Sequence, residues 1–276
     1  MQRCSGGCTH EYKPRWHRLA DPDVVTNFVL AECLCCLGFP DQAGQIERDA
    51  LKEGRDATKS YTRLLAMAFD SELQQTLGDG RRTLEQTDAA ISYANEIGAV
   101  SQLARMAPVR GWALIKTGQV EEGMSMLRMA IAGAEAAGIG LVVLTQCALA
   151  EAYQASGKAH QGLEVLRGAR ELMERTGERR WAADLSRLKG ELTLQNTPNA
   201  TGVAEAAFHE AIEIARSQSA KLSELRTTTS LARLLRATGR GDEARRMLTE
   251  VYNWFTEGFD TAHLKDAKAL LEELSD

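Results

Sequence analysis

Aromatic side chains make up only 5% of this sequence, and proline occurs just five times in 276 residues. With few helix breakers and a composition led by Ala, Leu, Glu, Arg and Gln, the chain favours helix throughout. No apolar run is long enough to cross a bilayer. The longest uncharged stretch, residues 136–150, has fifteen residues and includes Gly138, Gly140, Thr145 and Gln146, too short and too polar to span. Met1 to His10 is polar and lacks the apolar segment of a signal peptide. Six cysteines, with Cys33, Cys35 and Cys36 crowded together, form no spaced disulfide framework, so a reduced, cytoplasmic protein is expected. Excess positive charge is missing too. A net charge of −5 and a pI near 5.7 argue against general nucleic-acid binding. No Gly-x4-Gly-Lys-Ser/Thr loop is present to cradle phosphates.

What is present is a period. Ala31, Ser71, Gly111, Ala150, Gly190 and Ala232 follow one another at spacings of 39 to 42 residues. Ala43, Thr83, Gly123, Gly162, Ala204 and Ala244 form a second series, twelve residues behind the first except between Gly190 and Ala204, where the gap is fourteen. Ala50, Ala90, Ala130, Ala169, Ala211 and Val251 form a third. Small residues recur where two helices of a hairpin must cross closely. Self-similarity at a fixed period is the mark of a stacked array, in which each repeat touches its neighbours.

Residues 141–178 display the unit. Leu141, Leu144, Ala148, Leu149, Ala152 and Tyr153 mark one helical face, Gly157 ends the run, and Leu163, Leu166, Ala169, Leu172 and Met173 mark a second. Gly38, Gly78, Gly118 and Gly239 punctuate other repeats in the same way, and a longer loop from Asn196 to Gly202 does so in the fifth. A period near forty suits HEAT and armadillo arrays, but the order within the unit is tetratricopeptide-like. Ala150, Tyr153, Gly162, Leu166 and Ala169 run as small, aromatic, small, large apolar and alanine. The expected fold is an all-α, tetratricopeptide-like α-solenoid of about six long helix hairpins. Their expected spans are 20–58, 59–99, 100–139, 140–179, 180–219 and 220–259, with a fold-back or flexible segment at 1–19 and a C-terminal capping helix at 260–276.

The C-terminal third carries a resemblance. Phe208-His209-Glu210-Ala211, Glu224-Leu225-Arg226, Ser230 to Leu234, Glu243-Ala244-Arg245, Tyr252 to Thr261 and Ala269 to Leu274 closely resemble the repeat arm of bacterial AAA/STAND-type signalling ATPases. Those proteins carry a class III adenylyl or guanylyl cyclase domain, or a winged-helix DNA-binding domain, ahead of the NTPase. Leu37 to Ala43, Arg110 to Leu114, Thr176 to Trp181 and Arg187 to Leu192 resemble the same arm. The likeness covers about residues 20–274 and is weaker around 50–100. It implies the arm alone, a regulatory part without NTPase or cyclase. Two departures stand out. Pro108 falls within an expected helix, where a proline kinks, and Ala262-His263 replaces a Pro-Asp pair at the start of the last helix.

No catalytic constellation is legible. His10, His17, His160, His209 and His263 are scattered. Cys4-x3-Cys8-x-His10 offers three zinc ligands where a structural site needs four. Cys33-x-x-Cys36 falls in a helix interior, where small buried residues are expected rather than a thiolate. The expectation is therefore a non-enzymatic chain with no cofactor and no metal. Trp181 and Trp254 are expected to wedge between adjacent repeats.

The informative surface is the concave groove, lined in such arrays by the first helix of each hairpin. Projecting the register puts Glu72, Arg105, Trp112, Lys116, Glu151, Gln154, Arg187, Glu191, Arg226, Arg233 and Arg236 on it, with Glu32, Gln75 and Asp184 on the same faces. The groove reads as acidic near its start and basic at Arg226, Arg233 and Arg236. Its expected occupant is a protein or peptide partner, with a cyclase or NTPase module as the partner the resemblance implies, and no nucleic acid or membrane. The alternatives are a small-ligand sensor arm that changes superhelix curvature, or a remnant of the larger enzymes. Val24, Val25, Phe28 and Cys33 to Cys36 are candidates for an incompletely covered apolar edge, expected to drive self-association through the first repeat or to fray first, the alternative being that residues 3–19 fold back over it with Trp16 as the plug.

Overall fold

A computed structural model describes residues 21–56, 60–99, 102–137 and 142–275. The expected segment 1–19, with Cys4, Cys8 and His10, lies outside the described residues. Among the described residues there are thirteen α-helices and no strand. They are α1 (Pro22–Leu37), α2 (Pro40–Asp56), α3 (Ser60–Leu77), α4 (Gly80–Glu96), α5 (Leu103–Lys116), α6 (Val120–Ala137) and α7 (Val142–Ala155). The remainder are α8 (Ala159–Thr176), α9 (Ala182–Asn196), α10 (Thr201–Ser217), α11 (Lys221–Ala237), α12 (Gly241–Tyr252) and α13 (Ala262–Glu273). Odd and even helices pair into six hairpins, and α13 packs on α11 and α12.

Local chemistry sets the ends. Asp21 accepts a hydrogen bond from the Asp23 amide at 3.0 Å, and Asp79 from the Arg82 amide at 2.9 Å, so each satisfies one orphan donor of its helix. Gly38, with φ of +97°, closes α1 in the left-handed region, and the Phe39 amide reaches back to Leu34, which lets α2 fold straight back. Helix α5 runs on through Pro108, near its N-terminal end, rather than stopping there.

The small-residue series lie at the helix crossings. Ala31, Ser71, Gly111, Ala150, Gly190 and Ala232 are all buried, as are all six members of the second series. A Cβ added at Gly123 would stand 2.5 Å from the Gly111 carbonyl oxygen, and one at Gly190 would stand 2.6 Å from the Phe208 ring. Large apolar residues fill the space on either side of these crossings. Leu188 and Leu192 pack with Leu166, and Phe208 packs with Leu231 and Leu248. One polar group is buried between α2 and α3. Gln74 donates to both carboxyl oxygens of Glu47, at 3.1 and 3.2 Å, and burial followed by its neighbour Asp70 pushes the Glu47 carboxyl up to about 9.

The array does not stay open. First helices contact each other in the order α1, α3, α5, α7, α9, α11, and α11 then contacts α1. Leu222 of α11 joins Ala31, Cys35 and Leu73 in one apolar cluster. The solenoid thus closes into a ring, with first helices inside and second helices outside. This closure alters the expectation for the first repeat. Val24, Phe28 and Cys35 are buried and Val25 is partly covered. The exposed apolar residues of α1 are Val29, Leu30 and Leu37.

Candidate functional site

The ring encloses a chamber of about 470 Å³ whose wall draws on all six first helices and on α13. Its apolar lining includes Val109, Trp112, Leu144, Ala148, Trp181 and Leu188. The rest mixes charged side chains with small and uncharged ones such as Cys36, Gln75, Thr76 and Cys147. A second space of about 310 Å³, more polar, lies beside it and shares Lys116, Glu151, Arg226, His263 and Asp266 with it. These shared residues form the partition between the two.

Glu151 is the hub of that partition. Its carboxylate lies 3.0 Å from Lys116 Nζ, 3.3 Å from Arg187 and 3.5 Å from Arg226, and it accepts from the Trp112 indole N–H at 3.2 Å. Burial alone would push this carboxyl up. Lys116, Arg187 and Arg226 more than offset that and hold it well below the usual carboxylate range. Asp184 joins through Arg187 at 3.5 Å and Arg226 at 2.8 Å. Glu191 joins through Arg187 at 2.9 Å, Gln154 at 3.1 Å and the Ser230 hydroxyl at 2.6 Å. Three cations thus face three carboxylates, and the cluster balances its own charge. Separately, Arg105 grips Glu72 with two nitrogens, at 2.9 and 3.1 Å, and lies over the Phe69 ring.

The register therefore brings Glu72, Arg105, Trp112, Lys116, Glu151, Gln154, Arg187, Glu191 and Arg226 together on the inner wall of the ring. Arg233 lines the second space and pairs with Asp266 at 2.6 Å. Arg236 stands apart, lining neither space and pairing with Glu273 of α13. The expected basic end is thus neutralised, because the capping helix supplies a carboxylate to each of these two arginines.

Several wall residues were not projected from the register. His263 reaches inward, with Nε2 3.2 Å from the Thr76 carbonyl oxygen. Burial and then Arg226 depress it to about 3, so it is neutral at physiological pH. Arg180 lies over the Trp181 ring and pairs with Glu32 across the ring. Glu178, also in the wall, has no cation within ion-pair distance among the described residues, and burial pushes its carboxyl up. Arg180 and Glu178 sit in the turn between α8 and α9, and His263 in α13, so first-helix periodicity gave no signal for them.

The cysteine and tryptophan expectations need adjustment. Of Cys33, Cys35 and Cys36 only Cys35 is fully buried, and Cys33 is exposed. Cys36 lines the chamber with its thiol pushed by burial up to about 11, which leaves it protonated. Trp254 does not wedge between adjacent repeats. It is packed against Phe39, 5.6 Å between ring centroids, where the last hairpin meets the first.

No protein-family model and no curated protein sequence matches the chain. Solved structures do. The structure of NprR in complex with its cognate peptide NprX is similar over 92% of this chain and 72% of that one, with a TM-score of 0.66 at 14% identity. BtubC from P. vanneervenii aligns over 92% of this chain and 91% of its own, with a TM-score of 0.50 at 13% identity. A Signal Transduction ATPase with Numerous Domains (STAND) protein with a tetratricopeptide repeat sensor, from Pyrococcus horikoshii, covers 96% of this chain and 39% of its own, with a TM-score of 0.49 at 18% identity. At these identities the likeness shows the fold, an all-α tetratricopeptide-like solenoid. Among the described residues no helix is long and apolar enough to cross a membrane.

Proposed function

We propose that this chain is a non-enzymatic, tetratricopeptide-like scaffold that binds a short peptide or partner segment inside its ring. The observation that carries this reading is the chamber itself, walled by all six first helices. Its 470 Å³ falls within the roughly 300–1,000 Å³ usual for ligand sites, which suits a few residues of extended chain better than a folded partner. Apolar residues, two tryptophans among them, share its lining with charged groups. That combination suits peptides, whose side chains want the first and whose backbone wants the second. NprR, which has this fold, was solved with a peptide bound. The regulatory setting implied by the resemblance, an arm serving a bacterial NTPase coupled to a cyclase or transcription regulator, completes the proposal.

Enclosure by the ring favours a second reading, a small-molecule effector held in the same chamber, with the chain acting as a sensor. A random octapeptide library, screened by fluorescence polarisation, separates the two. The peptide reading expects a defined binding motif whose affinity falls at least about tenfold in Trp112→Ala, since buried aromatic anchors carry most binding energy. Binding should be unaltered in Arg167→Ala on the outer surface. Affinity that survives Trp112→Ala but responds to outer-surface changes would place the site elsewhere.

A further inference from the structure

The ring has one joint unlike its others. Adjacent helices along the chain are tied by short connections, whereas the partners at the meeting of first and last hairpins are 215 to 217 positions apart. Parting there separates two surfaces without disturbing any hairpin.

The joint is specific. Glu257, from the segment between α12 and α13, caps helix α2 from the opposite end of the chain. Its Oε1 accepts from the Asp41 and Gln42 amides at 3.0 and 3.1 Å, and its Oε2 accepts from the Gln42 side chain at 3.1 Å. Asp41 returns the contact by accepting from the Gly258 amide at 3.1 Å. Phe39 and Phe255 flank the Trp254 ring, and Lys221 lies above it at 5.3 Å. The fit is tight. A Cβ on Gly38 would stand 2.5 Å from the Trp254 ring, and one on Gly258 would stand 2.0 Å from Pro40. The turn glycines Gly118, Gly157 and Gly239 meet nothing within 4 Å, whereas Gly78, the equivalent of Gly38 in the second hairpin, meets His263 of α13 at 3.0 Å, so among these turns close approach occurs where the first hairpins meet the end of the array.

The same joint divides the chamber wall. Glu32, Cys36, Gln75 and Thr76 lie on the first-hairpin side, and Leu222, Arg226 and His263 face them from the other. The hydrogen bonds made by Glu257 are solvent-exposed, while that from Gly258 to Asp41 is half-buried, and exposed hydrogen bonds are readily exchanged for bonds to water.

We propose that this joint is a releasable clasp that controls passage into and out of the chamber. The inference rests on the chamber being the binding site and adds how that site is gated. A ligand touching both sides of the wall would favour the closed clasp, and by linkage a closed clasp would slow ligand escape.

The test needs no ligand. Hydrogen exchange of the Asp41, Gln42 and Gly258 amides reports the clasp, and peptide-mapped alkylation of Cys36 and Cys147 by N-ethylmaleimide reports access to the chamber. Glu257→Ala removes the cap, and Trp254→Ala removes the aromatic contact should the first change prove too mild. Both variants should raise exchange at the three amides and alkylation at the two chamber cysteines by at least about tenfold, while amides of α9 and α10 keep wild-type protection. Three results would overturn the clasp: amides that stay slow in both variants, fast amides with unchanged cysteine rates, or α9 and α10 loosening in parallel. Any of these leaves peptide binding to be judged by its own experiment, and an absence of peptide binding leaves the clasp measurement standing.

Discussion

Glu151 sits where Lys116, Arg187 and Arg226 converge, so its charge matters more than its size. Glu151→Gln keeps the shape but leaves buried cations short of a counter-charge. Removing one partner of a buried ion pair typically costs about 3–5 kcal/mol, and the water-facing side of the chamber trims this to an expected loss of about 2–4 kcal/mol in urea titrations. Arg233→Ala, at an exposed pair, should change stability by less than about 1 kcal/mol. The pH dependence has a definite sign. The folded-state pKa of Glu151 is depressed below the ordinary value of 4.5. Its contribution is therefore fully present at neutral pH, begins to fall below about that value and is lost as pH passes down through the depressed folded-state pKa, so wild type and Glu151→Gln should draw together progressively as the solution is acidified. The small-residue marks were the signal for this residue, because they fix which face of each first helix looks inward, and Glu151 lines the chamber. It said nothing of His263 or Arg180, which reach the chamber from the capping helix and from a turn, through contacts set only by ring closure.

At the scale of helices, the period carries the most information, and a pair of glycines in α6 tests it. Gly123 lies at a crossing where an added Cβ would meet the Gly111 carbonyl oxygen, which is backbone and cannot step aside. Gly123→Ala should therefore destabilise by about 1–3 kcal/mol, the usual cost of overpacking. Gly133, ten residues on in the same helix, is exposed and meets nothing within 4 Å. There alanine should stabilise by about 0.5–1 kcal/mol through helix propensity alone. Thermal melts of the two variants, moving in opposite directions, would confirm that the repeating small residues mark helix contacts and not composition. Pro108 shows where local rules fell short. Near the start of α5 the proline removes one backbone donor, yet the helix continues, with Pro108 itself buried in the chamber wall.

For the whole molecule, the helical array was legible and its closure was not. Periodicity reports how each repeat meets the next, whereas curvature accumulates from small rotations that no single residue encodes. For this reason the expectation of an incompletely covered first repeat holds only in part, with Val24, Phe28 and Cys35 buried while Val29, Leu30, Cys33 and Leu37 stay exposed. Phe28 stacks on Phe69 of the next hairpin, and Cys35 shares a cluster with Leu222 of the last. The same closure turns Trp254, Glu257 and Gly258 from ordinary surface of a last repeat into the counterpart of Phe39, Pro40 and Asp41. It also converts a groove into a chamber, on which both the proposed binding and its gating depend.

The direct measurement is therefore of closure in solution. Small-angle X-ray scattering of the unaltered monomer reads it, because the Glu257–Gln42 contact that shuts the ring is left in place. The scattering curve should fit a closed ring in which the first and last hairpins touch. A curve that requires the two ends of the array to stand apart, as in an open superhelix, would contradict a closed ring.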